Sequence, residues 1–149
     1  MNNFTVRRAV PGDRPGWLRM RLLLWPDHTP AELAADLDEI LSRPDEQPVF
    51  IALRSDGTPA GFLEGGLRNY ADGCDTAPVG YIEGWYVDED LRRQGVGAAL
   101  VSAMEAWARA RGLTEMGSDT WLWNDTSIAA HTRLGYVEME RLVHFAKKL

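Results

Sequence analysis

The chain has 149 residues, with 16 Lys and Arg against 22 Asp and Glu, a formal charge of −6 and a pI near 5.0. Such a length makes one domain, residues 1–149, able to bury roughly 70% of its unfolded surface, and 45% hydrophobic with 26% charged residues excludes a disordered chain. The acid excess speaks against a sequence-independent nucleic-acid binder, which needs a basic stripe to release counterions from phosphate, and suits a cationic ligand.

Phe4 to Val10 alternates enough for a first strand, which Pro11-Gly12-Asp13 breaks. Asp13 is placed to cap a helix reaching about Trp25, with Leu18, Leu22 and Trp25 on one face. Thr29-Pro30-Ala31-Glu32 has the residues of a capping box with Pro at the first helical position. Leu33, Leu37, Ile40 and Leu41 then form a buried stripe, leaving Asp36, Asp38 and Glu39 as a solvated face. Val49 to Arg54 and Ala60 to Leu67 read as strands joined by the Ser55-Asp56-Gly57-Thr58 turn. Asn69 to Pro78 is a polar loop, and Val79 to Val87 an aromatic and β-branched central strand.

Asp88-Glu89-Asp90 closes that strand, and the Gly-rich stretch Arg92 to Gly97 opens a long helix. Its stripe is Val96, Leu100, Met104 and Trp107, and Gly112 ends it. Glu115 to Trp121 is a further strand, Asp125 or Thr126 starts a short helix ending at Gly135, and Tyr136 to Lys147 is a terminal strand. The order β-α-α-β-β-β-α-β-α-β implies an α/β fold, a mixed sheet with helices on its faces.

Cys74 is the only cysteine, so neither an internal disulfide nor a Cys-based zinc cluster is available. His28, His131 and His144 are scattered, and no metal is expected. The N-terminal MNNFTVRRAV has no apolar leader core, and no apolar run approaches the ~20 residues that cross a bilayer. A reduced, cytoplasmic protein without a membrane partner is the expectation.

The chemistry-bearing stretch is Arg92-Arg93-Gln94-Gly95-Val96-Gly97-Ala98, between a strand and a long helix. Glycines there let backbone N–H groups approach a ligand, and the helix start attracts phosphate. Neither a Walker A loop nor a dinucleotide fingerprint is present. Read alone, Gly-Val-Gly at a helix start fits close packing equally well.

Together with Tyr81-Ile82-Glu83-Gly84-Trp85-Tyr86-Val87 upstream, and Asn124, Ser127, His131 and Leu134-Gly135-Tyr136 downstream, this stretch resembles the acetyl-coenzyme A site of the GNAT N-acetyltransferases. The resemblance covers nearly the whole chain. It implies that Arg93, Gln94, Gly95, Val96, Gly97 and Ala98 wrap the coenzyme pyrophosphate with main-chain amides. It implies further that Trp85, Tyr86 and Val87 pair with the pantetheine arm and polarise the thioester carbonyl, and that Asn124 holds the coenzyme from the other side. His131 stands where many members carry a tyrosine credited with protonating the departing thiolate; it reads as an acid or as a packing residue.

Within that superfamily the chain is most similar to the aminoglycoside 6′-N-acetyltransferases. Leu24-Trp25-Pro26-Asp27-His28, Gly73-Cys74-Asp75, Ile82-Glu83-Gly84, Met116-Gly117-Ser118-Asp119-Thr120 and Val137-Glu138-Met139-Glu140-Arg141 carry the likeness. It implies an acceptor pocket lined by Trp25, His28, Tyr70, Glu83, Asp119 and Glu140: carboxylates for ammonium groups and flat rings for sugars. An amine must lose a proton before it attacks a thioester, and Glu83 is the first candidate for the base, Asp119 the second. Glu138 or Glu140 is otherwise a partner of Arg141. The expected activity is direct acetyl transfer to a polycationic small molecule, with resistance as the outcome, by a homodimer whose terminal strand serves as interface or swapped element. The alternatives are an acetyltransferase for another small amine, a polyamine or a protein amine, and a non-catalytic acyl-coenzyme A-binding module.

Overall fold

Five strands form one sheet in the order β1-β2-β3-β4-β5: Phe4–Arg8, Val49–Arg54, Pro59–Arg68, Val79–Val87 and Met116–Ser118. The computed structural model describes residues 3–149; Met1 and Asn2, which begin the N-terminal stretch read above, lie outside the described residues. The first four strands pair antiparallel, and β4 pairs β5 in parallel. Among the described residues four α-helices accompany the sheet: α1 Arg14–Leu24, α2 Pro30–Leu41, α3 Val96–Ala110 and α4 Asp125–Arg133.

The strands alternate between two apolar layers. Phe50, Ala52, Leu63 and Ile82 face α3 and meet its buried stripe of Val96, Leu100, Val101, Met104, Trp107 and Ala108. Val49, Ile51 and Phe62 point the other way and pack on Trp17 and Met20 of α1 and Leu37 of α2. Burying a side chain of this size contributes about 1.5–3 kcal/mol, so both faces of the sheet are driven to be covered.

The capping box at α2 forms as the residues dictate: the Glu32 amide donates to Thr29 Oγ1 at 3.2 Å and the Thr29 amide to Glu32 Oε2 at 3.0 Å. The β2–β3 turn also closes, with Arg54 N–H on Thr58 O at 2.8 Å. The start of α1 differs from expectation. Asp13 does not cap it; its carboxylate accepts from Arg7 at 2.7 and 3.0 Å and from the Val10 amide at 2.8 Å, and Pro11–Asp13 forms a 3-10 turn. The buried face of α1 is Trp17, Met20 and Arg21, with Leu18, Leu22 and Trp25 only partly covered. A cation occupies that inner face because Glu64 of β3 waits for it.

Two other expectations change. The strand read over Glu115 to Trp121 is paired only at Met116–Ser118. Tyr136 to Lys147 is not a strand: none of residues 137–149 forms a backbone hydrogen bond, and Val137, Met139, Val143 and Phe145 are exposed. The alternation of apolar and polar residues is there, but a strand also needs a ladder to pair with, and this segment meets none among the described residues.

One irregularity positions the site. In the β3–β4 ladder Glu64 pairs with Gly84 and Gly65 with Ile82, so Glu83 has no partner and bulges. A bulge reverses the alternation beyond it. Ile82 therefore shares the α3 layer with Trp85 and Val87, while Tyr86 crosses to the α1 layer.

Candidate active site

Parallel pairing between β4 and β5 ends at Ile82 with Ser118, so residues 83–87 have a strand on one side only. The result is a fork whose unpaired edge is the stretch Trp85, Tyr86 and Val87; amides alternate along a strand, and since the Asp88 amide donates to Ala60 of β3, those of Trp85 and Val87 face the gap and that of Tyr86 faces β3. At its mouth the chain turns into α3. Arg93 (φ 63°) and Gly95 (φ 85°) are left-handed, a conformation that alternates in the backbone nests that hold anions. The first amide after the turn to find a helical acceptor is Ala99, which donates to Gly95 O at 3.0 Å. Among the described residues the amides of Arg93 to Ala98 find no backbone acceptor, and no side chain caps this 15-residue helix. Gly97 also packs closely: a Cβ there would lie 3.0 Å from the Trp85 indole, which would have to give by a few tenths of an ångström. Free main-chain donors in a turn, beside an open strand edge, fit a diphosphate continued by an amide-bearing arm.

Trp85 leads to the other prong. Its ring meets the His131 imidazole edge-on with centroids 5.2 Å apart, and Tyr136 meets the same imidazole at 5.8 Å. His131 Nδ1 lies 2.7 Å from the Ser127 carbonyl oxygen, which can only accept, so Nδ1 carries the proton. Nε2 is then the acceptor for the Ser118 hydroxyl at 2.7 Å. Asn124 caps α4, its Oδ1 accepting from the Ser127 amide at 3.1 Å, which leaves its NH2 group as the part able to meet a ligand.

Two hollows flank the fork. A cavity of about 700 Å³ is lined by Ser118, Asp119, Trp121, His131, Tyr136 and Glu140, among others. A second, of about 390 Å³, is lined by Arg21, Trp25, Asp36, Glu39, Gln47, Glu64 and Glu83. Of the acceptor residues read from the sequence, Trp25 and Glu83 thus fall in one and Asp119 and Glu140 in the other. His28 and Tyr70 line neither: His28 lies 3.4 Å from Glu32, and the exposed Tyr70 donates to Asp72 at 2.9 Å. Glu138, rather than Glu140, is the partner of Arg141.

The side chains joining the two hollows were missed. Arg68 grips Glu83 with two bonds, Nε to Oε1 at 2.8 Å and Nη2 to Oε2 at 2.7 Å. Its guanidinium lies over the Tyr81 ring, 3.6 Å from the centroid, and the Tyr81 hydroxyl donates to Asp119 at 2.6 Å. Burial, together with the bond to Asp119, pushes the Tyr81 phenol far up, so it stays a donor. Deeper, Arg21 Nε meets Glu64 Oε1 at 2.7 Å, and the Trp17 indole N–H donates to the same oxygen at 3.1 Å. Burial pushes the Glu64 carboxyl up, and Arg21 and Trp17 pull against it. The available signal was Glu64 itself, the lone charge in Ala60-Gly61-Phe62-Leu63-Glu64-Gly65-Gly66-Leu67.

Burial, with Glu115 and Asp75 nearby, pushes the Cys74 thiol up, which disfavours a thiolate nucleophile. Among the described residues no cluster of three or more His, Cys, Asp or Glu is arranged to hold a metal ion. No described helix is long and apolar enough to cross a membrane.

Comparison with known proteins places this geometry. Residues 17–136 match the model of the acetyltransferase (GNAT) family. The aminoglycoside N(6′)-acetyltransferase type 1 of Klebsiella aerogenes is 45% identical over 146 residues, 97% of this chain and 96% of that protein. The protein of the same name from Stenotrophomonas maltophilia is 41% identical over 147 residues, 97% of this chain and 94% of its own length. Among solved structures, AAC(6′)-Iy in complex with the bisubstrate analogue CoA-S-monomethyl-acetylneamine superposes with a TM-score of 0.92 at 34% identity, covering 99% of this chain and 100% of that one. Aminoglycoside 6′-N-acetyltransferase AAC(6′)-Ih from Acinetobacter baumannii gives 0.90 at 32% identity, covering 98% and 99%.

Proposed function

Since the chain belongs to the acetyltransferase (GNAT) family, we propose that it acetylates the 6′-amino group of aminoglycosides from acetyl-coenzyme A and thereby confers resistance to them. One observation carries the reading: the β4–β5 fork opens beside the free amides of residues 93–98 and between hollows that hold Glu83 and Asp119. The whole chain acts as one catalytic domain.

Acetyl-coenzyme A supplies an activated acetyl group as a thioester. The amides of Arg93, Gln94, Gly95, Val96, Gly97 and Ala98 bind its diphosphate, aided by the positive end of α3. The unpaired edge of Trp85, Tyr86 and Val87 aligns the arm and donates to the carbonyl oxygen, where charge develops. The Asn124 amide group closes the opposite side. On the acceptor side Trp25 offers a flat face, while Glu83, Asp119 and Glu140 take ammonium groups. Tyr70, whose phenol feels the Glu140 charge, and His28 beside Glu32 meet outlying groups of the acceptor. Glu83, directly or through water, takes the proton the amine must lose, and Asp119 orients the amine electrostatically. The amine nitrogen then bonds to the carbonyl carbon as the bond to sulfur breaks. Acetylation removes one positive charge and a hydrogen-bond donor from the drug.

The work is done in the cytoplasm, where the acetyl donor is made, and by a homodimer. The dimer is supported by the C-terminal segment, whose exposed Val137, Met139, Val143 and Phe145 leave an apolar side that a second copy would cover.

Thiol release measured with a 6′-amino aminoglycoside and with its 6′-hydroxy analogue tests the activity. Turnover only with the amine is expected. Equal release with both, or turnover confined to polyamines, overturns the reading.

A further inference from the structure

Arg68 is the last residue of β3, and its side chain runs over Tyr81 to reach Glu83 two residues further along β4. It binds both oxygens of Glu83 and sits on the ring whose hydroxyl holds Asp119. Two of the three carboxylates expected to meet the acceptor are thus already engaged, Glu83 by Arg68 itself and Asp119 by the hydroxyl of the ring beneath it. An ammonium approaching Glu83 asks for the lone pairs that Arg68 occupies. Neither partner is locked in place: the side chains of Arg68 and Glu83 are 40% and 38% exposed, so the guanidinium can swing into water without opening the core.

We propose that Arg68 sets the threshold for acceptor binding: it is a built-in counter-ion on Glu83 that an acceptor's ammonium group must displace. The inference rests on the acceptor reading given above. Displacement costs the same for every acceptor, whatever its total charge. A polycation regains the loss through Asp119, Glu140, Asp36 and Glu39, which line the two hollows. A monoamine has nothing left with which to regain it. Arg68 therefore raises KM for every amine by one factor, a loss that leaves a polycation usefully bound and a singly charged amine weakly held.

The test compares wild type, Arg68→Met and Arg68→Lys on two acceptors with the same reacting group. One is a polycationic 6′-amino aminoglycoside; the other is methyl 6-amino-6-deoxy-glucopyranoside, which carries a single ammonium. Removing an exposed ion pair is expected to raise kcat/KM about fivefold in Arg68→Met, through KM and by the same factor for the monoamine and the polycation. Arg68→Lys keeps the charge and should stay near wild type. Calorimetric titration of the monoamine into the coenzyme A-bound protein should show the same tightening without turnover. An unchanged or falling kcat/KM for both acceptors in Arg68→Met overturns the proposal, as does a rise confined to one of them, or a fall in kcat at constant KM, which would make Arg68 a positioning residue for Glu83. If wild type acetylates no aminoglycoside, the activity itself is refuted and this inference falls with it.

Discussion

Replacing Arg21 by Met should be among the most damaging single changes in the chain. The side chains of Arg21 and Glu64 are 6% and 5% exposed, and the guanidinium also donates to the buried Leu33 carbonyl at 2.8 Å and to Asp36 at 3.2 Å. Removing one partner of a buried pair costs about 3–5 kcal/mol, because the other is left without compensation. For a chain of this length that corresponds to a fall in Tm of about 6–20 °C. The pH dependence identifies the mechanism. Burial already pushes the Glu64 carboxyl up, and Arg21 is the main counterweight. Without it the folded variant holds a proton that the unfolded chain releases above about pH 4.3, so its stability falls as pH rises. Urea denaturation of wild type and Arg21→Met at pH 5, 6, 7 and 8 should show a gap that widens by up to about 1.4 kcal/mol per unit. The double variant Arg21→Met/Glu64→Gln, with no charge left to bury, should be more stable than the single one at pH 8. A gap below about 1 kcal/mol at pH 8, or one identical at pH 5 and pH 8, would refute the reasoning.

Acid should act on wild type through different groups. Partial burial raises the Asp13 and Asp88 carboxyls, but the Arg7 and Val10 bonds to the first, and the Arg19 and Arg54 bonds to the second, outweigh it and hold both below 3.8. Their contribution is present above about pH 4 and lost as pH falls through the depressed values; Asp13→Asn and Asp88→Asn should each flatten the decline of Tm between pH 5 and 3. Gly95→Ala forces a Cβ into a left-handed position (φ 85°) and should cost about 1–2 kcal/mol in urea denaturation, with weaker coenzyme A binding by calorimetry than wild type. In long-range ¹H–¹⁵N spectra the neutral His131 ring should appear as the Nδ1–H tautomer, and an Nε2–H tautomer would contradict the Ser127 carbonyl contact.

What could be read beforehand was local. The Thr29 to Glu32 box, the Asp-Gly turn and the glycines opening α3 each fix backbone geometry within a few residues, and each stands where the sequence placed it. What escaped depends on partners far apart in the chain. Arg21 has no local signal because its mate, Glu64, is 43 residues away. The Arg68 grip on Glu83 spans 15 residues and needs a bulge that no composition announces. Residues 136–147 carried a genuine strand pattern, yet pairing is a property of two segments and periodicity belongs to one.

A donor cradle made of peptide N–H groups has a consequence for inheritance. Codon changes at positions 93 to 98 swap side chains but leave the amides in place, unless proline arrives or the left-handed turn is lost. The hollows proposed for the acceptor, by contrast, are walled by carboxylates and rings, each one point mutation away from something else. Drug spectrum can therefore drift under selection while the grip on the acetyl donor is preserved.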